Sequence, residues 1–236
     1  MVWRSKLVWP VLGFFLFFAS YFTVRFIEPS LATVSAISIT FFALPSFYFL
    51  QKENKKAWLI ILIIGLFAYL IETIGILTGF PYSPFVYSDL IGPKWFGVTP
   101  VFLPLAFVPL VIGAGYFALK QKTVLKKYLV GIGILVLADL ILDPAAVALG
   151  IWIWEWQGGF YGVPWVNFLG WILSGAISMW LFFQFQKQPL QKETTTSLLL
   201  ILWFWTGATL WLSLWIPFMI GLVFSGVLTY ELLKKE

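Results

Sequence analysis

A chain of 236 residues that is 61% hydrophobic and only 11% charged, with a mean hydropathy of +0.95, has too little polar surface for a water-soluble domain. It contains no cysteine and no histidine, which excludes disulfides, thiol catalysis, cysteine-ligated metal and the commonest proton shuttle near neutral pH. The net charge of +5 is accounted for by membrane topology and anionic headgroups, so nucleic acid is not expected as a partner.

The first apolar run, residues 7–27, is too long for a signal-peptide core and lacks a small-residue cleavage site, so it is expected to stay as a membrane helix. Further spans are expected at 30–50 and 57–77, the third carrying Glu72 about two thirds of the way across. The loop that follows, TGFPYSPFVYSDLIGPKWF at 78–96, is dense in aromatic residues, glycine and proline. A fourth span is expected at 97–119 and a fifth at 128–150. The fifth contains ADLILDPAAVALG, with Asp139 and Asp143 four residues apart and Pro144 directly behind them. A second aromatic loop at 151–163, IWIWEWQGGFYGV, leads into a sixth span at 164–185 with Asn167 in its first turn.

Residues 197–233 form one apolar run, about 55 Å long as a single helix and far thicker than a bilayer core. A break near Ser213 to Pro217 divides it into spans at 197–213 and 216–233. With eight spans, 13 of the 15 Lys and Arg fall on one side, leaving only Arg25 and Lys94 on the other. The positive-inside rule then places both termini in the cytoplasm, whereas a seven-span alternative would put the C-terminal lysines outside. The expected fold is therefore all-α, a single-domain polytopic membrane helix bundle in the cell membrane.

Three acids lie within spans: Glu72, Asp139 and Asp143. An ionisable group at membrane depth costs at least about 2.5–3.5 kcal/mol, so it normally faces a bundle interior or cavity and serves a function; the plainer alternative is a polar clamp between helices. Asp139 and Asp143 share one helix face, with Cβ atoms about 5–6 Å apart. Two carboxyls so close in low dielectric are expected to share a proton and to titrate as a unit, an acid beside a base. Pro144 cannot donate to the Leu140 carbonyl and is expected to bend the helix there. The aromatic loops suit either an interfacial belt or a lid over the carboxylates whose π faces would stabilise a cation.

Such a site suits protonation of an isoprenoid trisubstituted double bond to a tertiary carbocation that water captures. Magnesium-dependent prenyl transfer through the DxxxD motif is a second reading, weakened by the absence of a second acidic motif and the scarcity of basic residues on that side. Proton-coupled transport or non-catalytic isoprenoid and lipid binding is a third, weakened by the lack of an inverted repeat.

Asp139 to Trp171, DLILDPAAVALGIWIWEWQGGFYGVPWVNFLGW, resembles the signature of the CruF-type carotenoid hydratases, the membrane carotenoid biosynthesis proteins. Glu72 to Pro100 is similar to that family's other characteristic segment. The resemblance implies cofactor-independent addition of water to the terminal double bond of an acyclic (ψ-end) carotenoid, or its equivalent on a fifty-carbon carotenoid, giving a tertiary alcohol. It implies as partners the carotenoid, water, membrane lipid and, as candidates, other carotenoid-biosynthesis enzymes. Roles follow from chemistry. Asp143 is assigned as proton donor with Asp139 tuning or receiving the proton, an order that can be exchanged, while Glu72 and Asn167 orient water. Tyr87, Trp152, Trp154, Tyr161, Phe80 and Trp171 are the candidate pocket walls, and no metal ligand is assigned. The chain departs from the family pattern at Tyr82 and Ser83, where GFPFG is usual, and at Ala145, Ala146 and Leu149, which bears on substrate choice more than on the reaction.

Overall fold

The computed structural model describes residues 2–234; Lys235, which entered the count of basic residues above, lies outside the described residues. Eight α-helices follow one another: α1 (Val2–Phe26), α2 (Ala32–Glu53), α3 (Ala57–Thr78), α4 (Leu103–Leu119), α5 (Val124–Ala148), α6 (Trp165–Phe185), α7 (Thr196–Trp211) and α8 (Trp215–Leu233). Six are long and apolar enough to cross a membrane, and α4 and α7 have 17 and 16 residues. The outward faces of α1, α3 and α8 carry Phe15, Phe22, Leu77 and Val223, all more than 60% exposed, so the surrounding solvent is hydrocarbon. The protein is an all-α, multi-pass membrane bundle.

Helix α4 is the axis. It packs against α2, α3, α5, α6 and α7, and Phe107 to Tyr116 are buried without interruption. Close approach is bought by small residues: a Cβ on Gly113 would stand 2.7 Å from Leu198, and one on Gly115 2.4 Å from Phe182. The expected break in the last apolar run is present between Trp211 and Trp215, with Ser213 at φ 58° and Pro217 in the first turn of α8. At one end of the bundle Lys52, Lys120, Lys192 and Lys234 cluster, and Lys120 pairs with Glu231. Four of the lysines counted on one side in the sequence thus meet at one end of the bundle.

Two expectations need correction. Helix α4 begins at Leu103 rather than residue 97, because residues 94–100 fold back as a hairpin of β2 (Lys94–Trp95) and β3 (Thr99–Pro100), turned by Phe96 and Gly97 at φ 50° and 71°. Helix α5 begins at Val124, four residues earlier than expected, because the Thr123 hydroxyl accepts from the Lys126 amide and caps it. It runs without interruption through Pro144 to Ala148.

The aromatic loops after α3 and α5 also pair. β1 (Phe85–Tyr87) and β4 (Trp152–Trp154) form an antiparallel ribbon in the register Phe85↔Trp154, Val86↔Ile153 and Tyr87↔Trp152. Side chains alternate along a strand, so Val86 and Ile153 turn outward while the four aromatic rings turn toward the bundle. Phe85 meets Trp154 at 4.9 Å and Tyr87 meets Trp152 edge to face at 5.8 Å.

Candidate active site

Three helices bring the polar groups together. Asp139 and Asp143 project from one face of α5, and both are buried. Asn167 sits in the first turn of α6, where Pro164 supplies the extended cap and accepts from the Asn167 amide at 3.0 Å. That start is fixed by the turn before it, in which Gly158 pairs with Gly162 and Phe160 with Val163. A Cβ on Gly158 would fall 2.0 Å from the Val163 carbonyl, so only glycine fits. The side-chain amide of Asn167 then donates to Asp139 Oδ2 at 2.9 Å and to Asp143 Oδ2 at 2.6 Å, bridging the two aspartates.

Glu72, buried on α3, accepts from the Tyr87 hydroxyl at 3.1 Å. The loop that carries Tyr87 is pinned by Lys94, whose ammonium donates to the Tyr87 carbonyl at 2.7 Å and pairs with Asp89 at 2.9 Å. The one basic residue in this loop is therefore committed to holding it in shape.

These groups face a cavity of about 90 Å³. Its walls include Glu72, Asp139, Asp143, Asn167, Tyr87 and Trp152, with Trp154 and Trp171 beside them. One water needs roughly 10–15 Å³ of such space, so the cavity accommodates water together with a small apolar group. Asp139 Oδ1 and Trp154 Nε1 are buried without a hydrogen-bond partner among the described residues.

Of the residues singled out from sequence, Phe80 and Tyr161 are not brought to this cavity. Phe80 is 62% exposed at the tip of the turn after Gly79. Tyr161, at φ 51°, is turned away by the Gly158–Val163 loop, and its hydroxyl accepts from the Ile216 amide at the start of α8. Sequence reasoning missed Tyr82, Phe85 and Phe107. Tyr82 is buried in a slot between two helices: a Cβ on Gly75 of α3 or Gly170 of α6 would meet its ring at 2.8 Å and 2.5 Å. Its signal was the tyrosine in Gly79-Phe80-Pro81-Tyr82, noted only as a departure. Phe107 stacks on Trp171 at 5.4 Å and closes the side of the cavity toward α4; an apolar residue in an apolar helix gives no such signal.

The family model described as "Carotenoid biosynthesis protein" matches residues 30–228. Bisanhydrobacterioruberin hydratase of Haloarcula japonica is 35% identical over 188 residues, an alignment that covers 74% of this chain and 64% of the relative. The chain thus spans a little under two thirds of that relative's length. No solved structure matches the chain. Both segments that build the cavity, the Glu72 to Pro100 stretch and the Asp139 to Trp171 stretch, lie within the matched region, and the chain belongs to the carotenoid biosynthesis protein family.

Proposed function

We propose that the protein is a carotenoid hydratase, adding water to the terminal double bond of an acyclic (ψ-end) or fifty-carbon carotenoid by acid catalysis. The observation that carries this reading is the convergence of Glu72, Asp139, Asp143 and Asn167 on one buried, aromatic-walled cavity with room for water. The name of the Haloarcula relative points the same way.

In this reading the two aspartates share one proton. Asn167 donates to one oxygen of each, which leaves Asp139 Oδ1 without a donor other than a carboxyl proton held by the pair. Asp143 stands one turn nearer the ribbon than Asp139 and delivers that proton to the less substituted carbon of the double bond. The π electrons form the new C–H bond, and a tertiary carbocation develops on the dimethyl carbon. Trp152, Trp154 and Tyr87 line the cavity, and their π electrons are proposed to stabilise the cation. A water held by Glu72 and the aspartate pair forms the C–O bond, and the oxonium proton returns to the carboxylates. The sum is one water added, one tertiary alcohol formed and the acid regenerated. No cofactor is consumed. The lysine-rich face is proposed to be cytoplasmic in the cell membrane, with the carboxylates in the outer half.

Expression in a lycopene-producing host, with mass analysis of extracted pigment, tests the proposal. Product heavier by one water per hydrated end supports it, and chelators should leave the rate unchanged. Unmodified pigment from several acyclic carotenoids would sink it, and magnesium dependence with release of diphosphate would favour prenyl transfer.

A further inference from the structure

The carboxylate cavity is too small for a carotenoid. At about 90 Å³ it takes a terminal isoprene unit and water, whereas sites for whole organic ligands run to roughly 300–1,000 Å³. The ribbon, Tyr82 and the Phe107–Trp171 stack close it on three sides. On the fourth it adjoins a second, larger cavity of about 310 Å³, and Ile91, Ala106, Leu142 and Trp152 line both.

This second cavity is a groove between helices. Its outer walls include Phe22 and Phe26 in the last turns of α1, Ser38 and Phe42 on α2, and Phe204 and Trp205 on α7. Helices α1 and α2 meet at the lysine-rich end, where Trp9 and Phe49 are edge to face at 6.3 Å. Beyond that contact α1 leans on α7, with the Phe17 carbonyl 2.1 Å from where a Cβ on Gly207 would be, while α2 leans on α4 and α7. The two helices therefore part toward their connecting turn, and the groove fills the angle. Among the described residues its lining contains no charged side chain, and the polar side-chain groups there are the hydroxyls of Thr23, Ser35 and Ser38 and the indole nitrogens. Nothing there would hold a diphosphate or a zwitterionic headgroup.

We infer that this groove is the polyene-binding site: a long acyclic isoprenoid enters from lipid between α1 and α2, lies along α7, and passes its terminal double bond over Ala106 and Leu142 to the carboxylates. The identity of the ligand rests on the hydratase reading; the route rests on the shared walls and the parted helices. Trp152 faces both compartments and marks where the chain crosses from one to the other.

The test reads binding separately from turnover. The protein is purified in mild detergent from a lycopene-producing host, and pigment per protein is measured by absorbance on the monodisperse, folded fraction. Ser38→Phe on α2 and Ala106→Phe on α4 each fill part of the groove and are expected to lower bound pigment about tenfold. Ile37→Phe, on the same helix but 63% exposed and off the groove, is expected to retain it. Folded groove variants carrying pigment within twofold of the parent, or a parent without pigment, would overturn the inference. A parent that binds pigment without hydrating it would remove the hydratase reading and leave the groove standing. Groove variants that bind and hydrate as well as the parent would do the reverse.

Discussion

Replacing Asp143 by asparagine separates acid from architecture. In the folded protein Asp143 Oδ2 accepts the 2.6 Å bond from Asn167, and Asp139 Oδ2 accepts the companion bond at 2.9 Å. An amide oxygen at the same position still accepts from Asn167, so the bridge between α5 and α6 persists while the transferable proton is gone. General acid catalysis contributes about 10²–10⁴-fold, or about 2.7–5.5 kcal/mol of barrier. Exchanging a charge-assisted hydrogen bond for a neutral one costs only about 1 kcal/mol of stability. The expected outcome of Asp143→Asn is therefore at least a ~100-fold loss of turnover with an almost unchanged melting temperature. The assay is the initial rate of hydrated carotenoid formation in isolated membranes, read by mass, beside thermal unfolding followed by tryptophan fluorescence. Retention of more than about a tenth of the parent rate would remove Asp143 as the proton donor. Loss confined to Asp139→Asn would exchange the two roles, and full activity in both variants would refute acid catalysis by this pair.

Tyr87→Phe withdraws the 3.1 Å hydrogen bond to Glu72 and leaves a buried carboxyl without it, costing about 1–3 kcal/mol; slower turnover with the ribbon intact is the expected result, checked by rate and melting together. Gly170→Ala drives a methyl to 2.5 Å from the Tyr82 ring and 2.8 Å from the Pro81 carbonyl, an overpacking of about 1–3 kcal/mol that should lower both melting temperature and activity; an unchanged melting temperature would show that the slot yields. Lys94→Met should loosen the loop 79–102 far more than Asp89→Asn, because Asp89 is 84% exposed whereas Lys94 holds the Tyr87 carbonyl; limited proteolysis of the loop distinguishes the two, and equal cleavage would contradict it.

The helices were legible because hydrocarbon leaves the backbone few options: an apolar run must form a helix about as long as the bilayer is thick. Pro217 and the excessive length of 197–233 even revealed the break between α7 and α8. Charge at depth was equally legible, and Glu72, Asp139, Asp143 and Asn167 do line one cavity. What the chain hid was the ribbon. β1 and β4 have three residues each and lie 65 positions apart between their closest residues, Tyr87 and Trp152, so their pairing is a tertiary fact with no local pattern. The same cause explains Phe80 and Tyr161. Both are aromatic residues in aromatic loops, and only the turns at Gly79 and Gly158–Val163 decide that they point elsewhere.

A polar clamp between helices is the plainest alternative for buried carboxylates in a membrane, and Asn167 does tie α6 to α5. A clamp, however, needs one acceptor. This site keeps two aspartates on one amide, at a cost of at least about 2.5–3.5 kcal/mol for each ionisable group at depth. It adds a third carboxyl, Glu72, from a helix the clamp does not involve, partnered by a tyrosine from a loop rather than from the bundle. A clamp also closes the space it spans, whereas these groups border a cavity with room for water and leave Asp139 Oδ1 without a hydrogen-bond partner among the described residues. Each excess is destabilising as architecture, and each is what an alkene hydration site requires: an acid, a base, a place for water and π faces around the carbon that becomes positive.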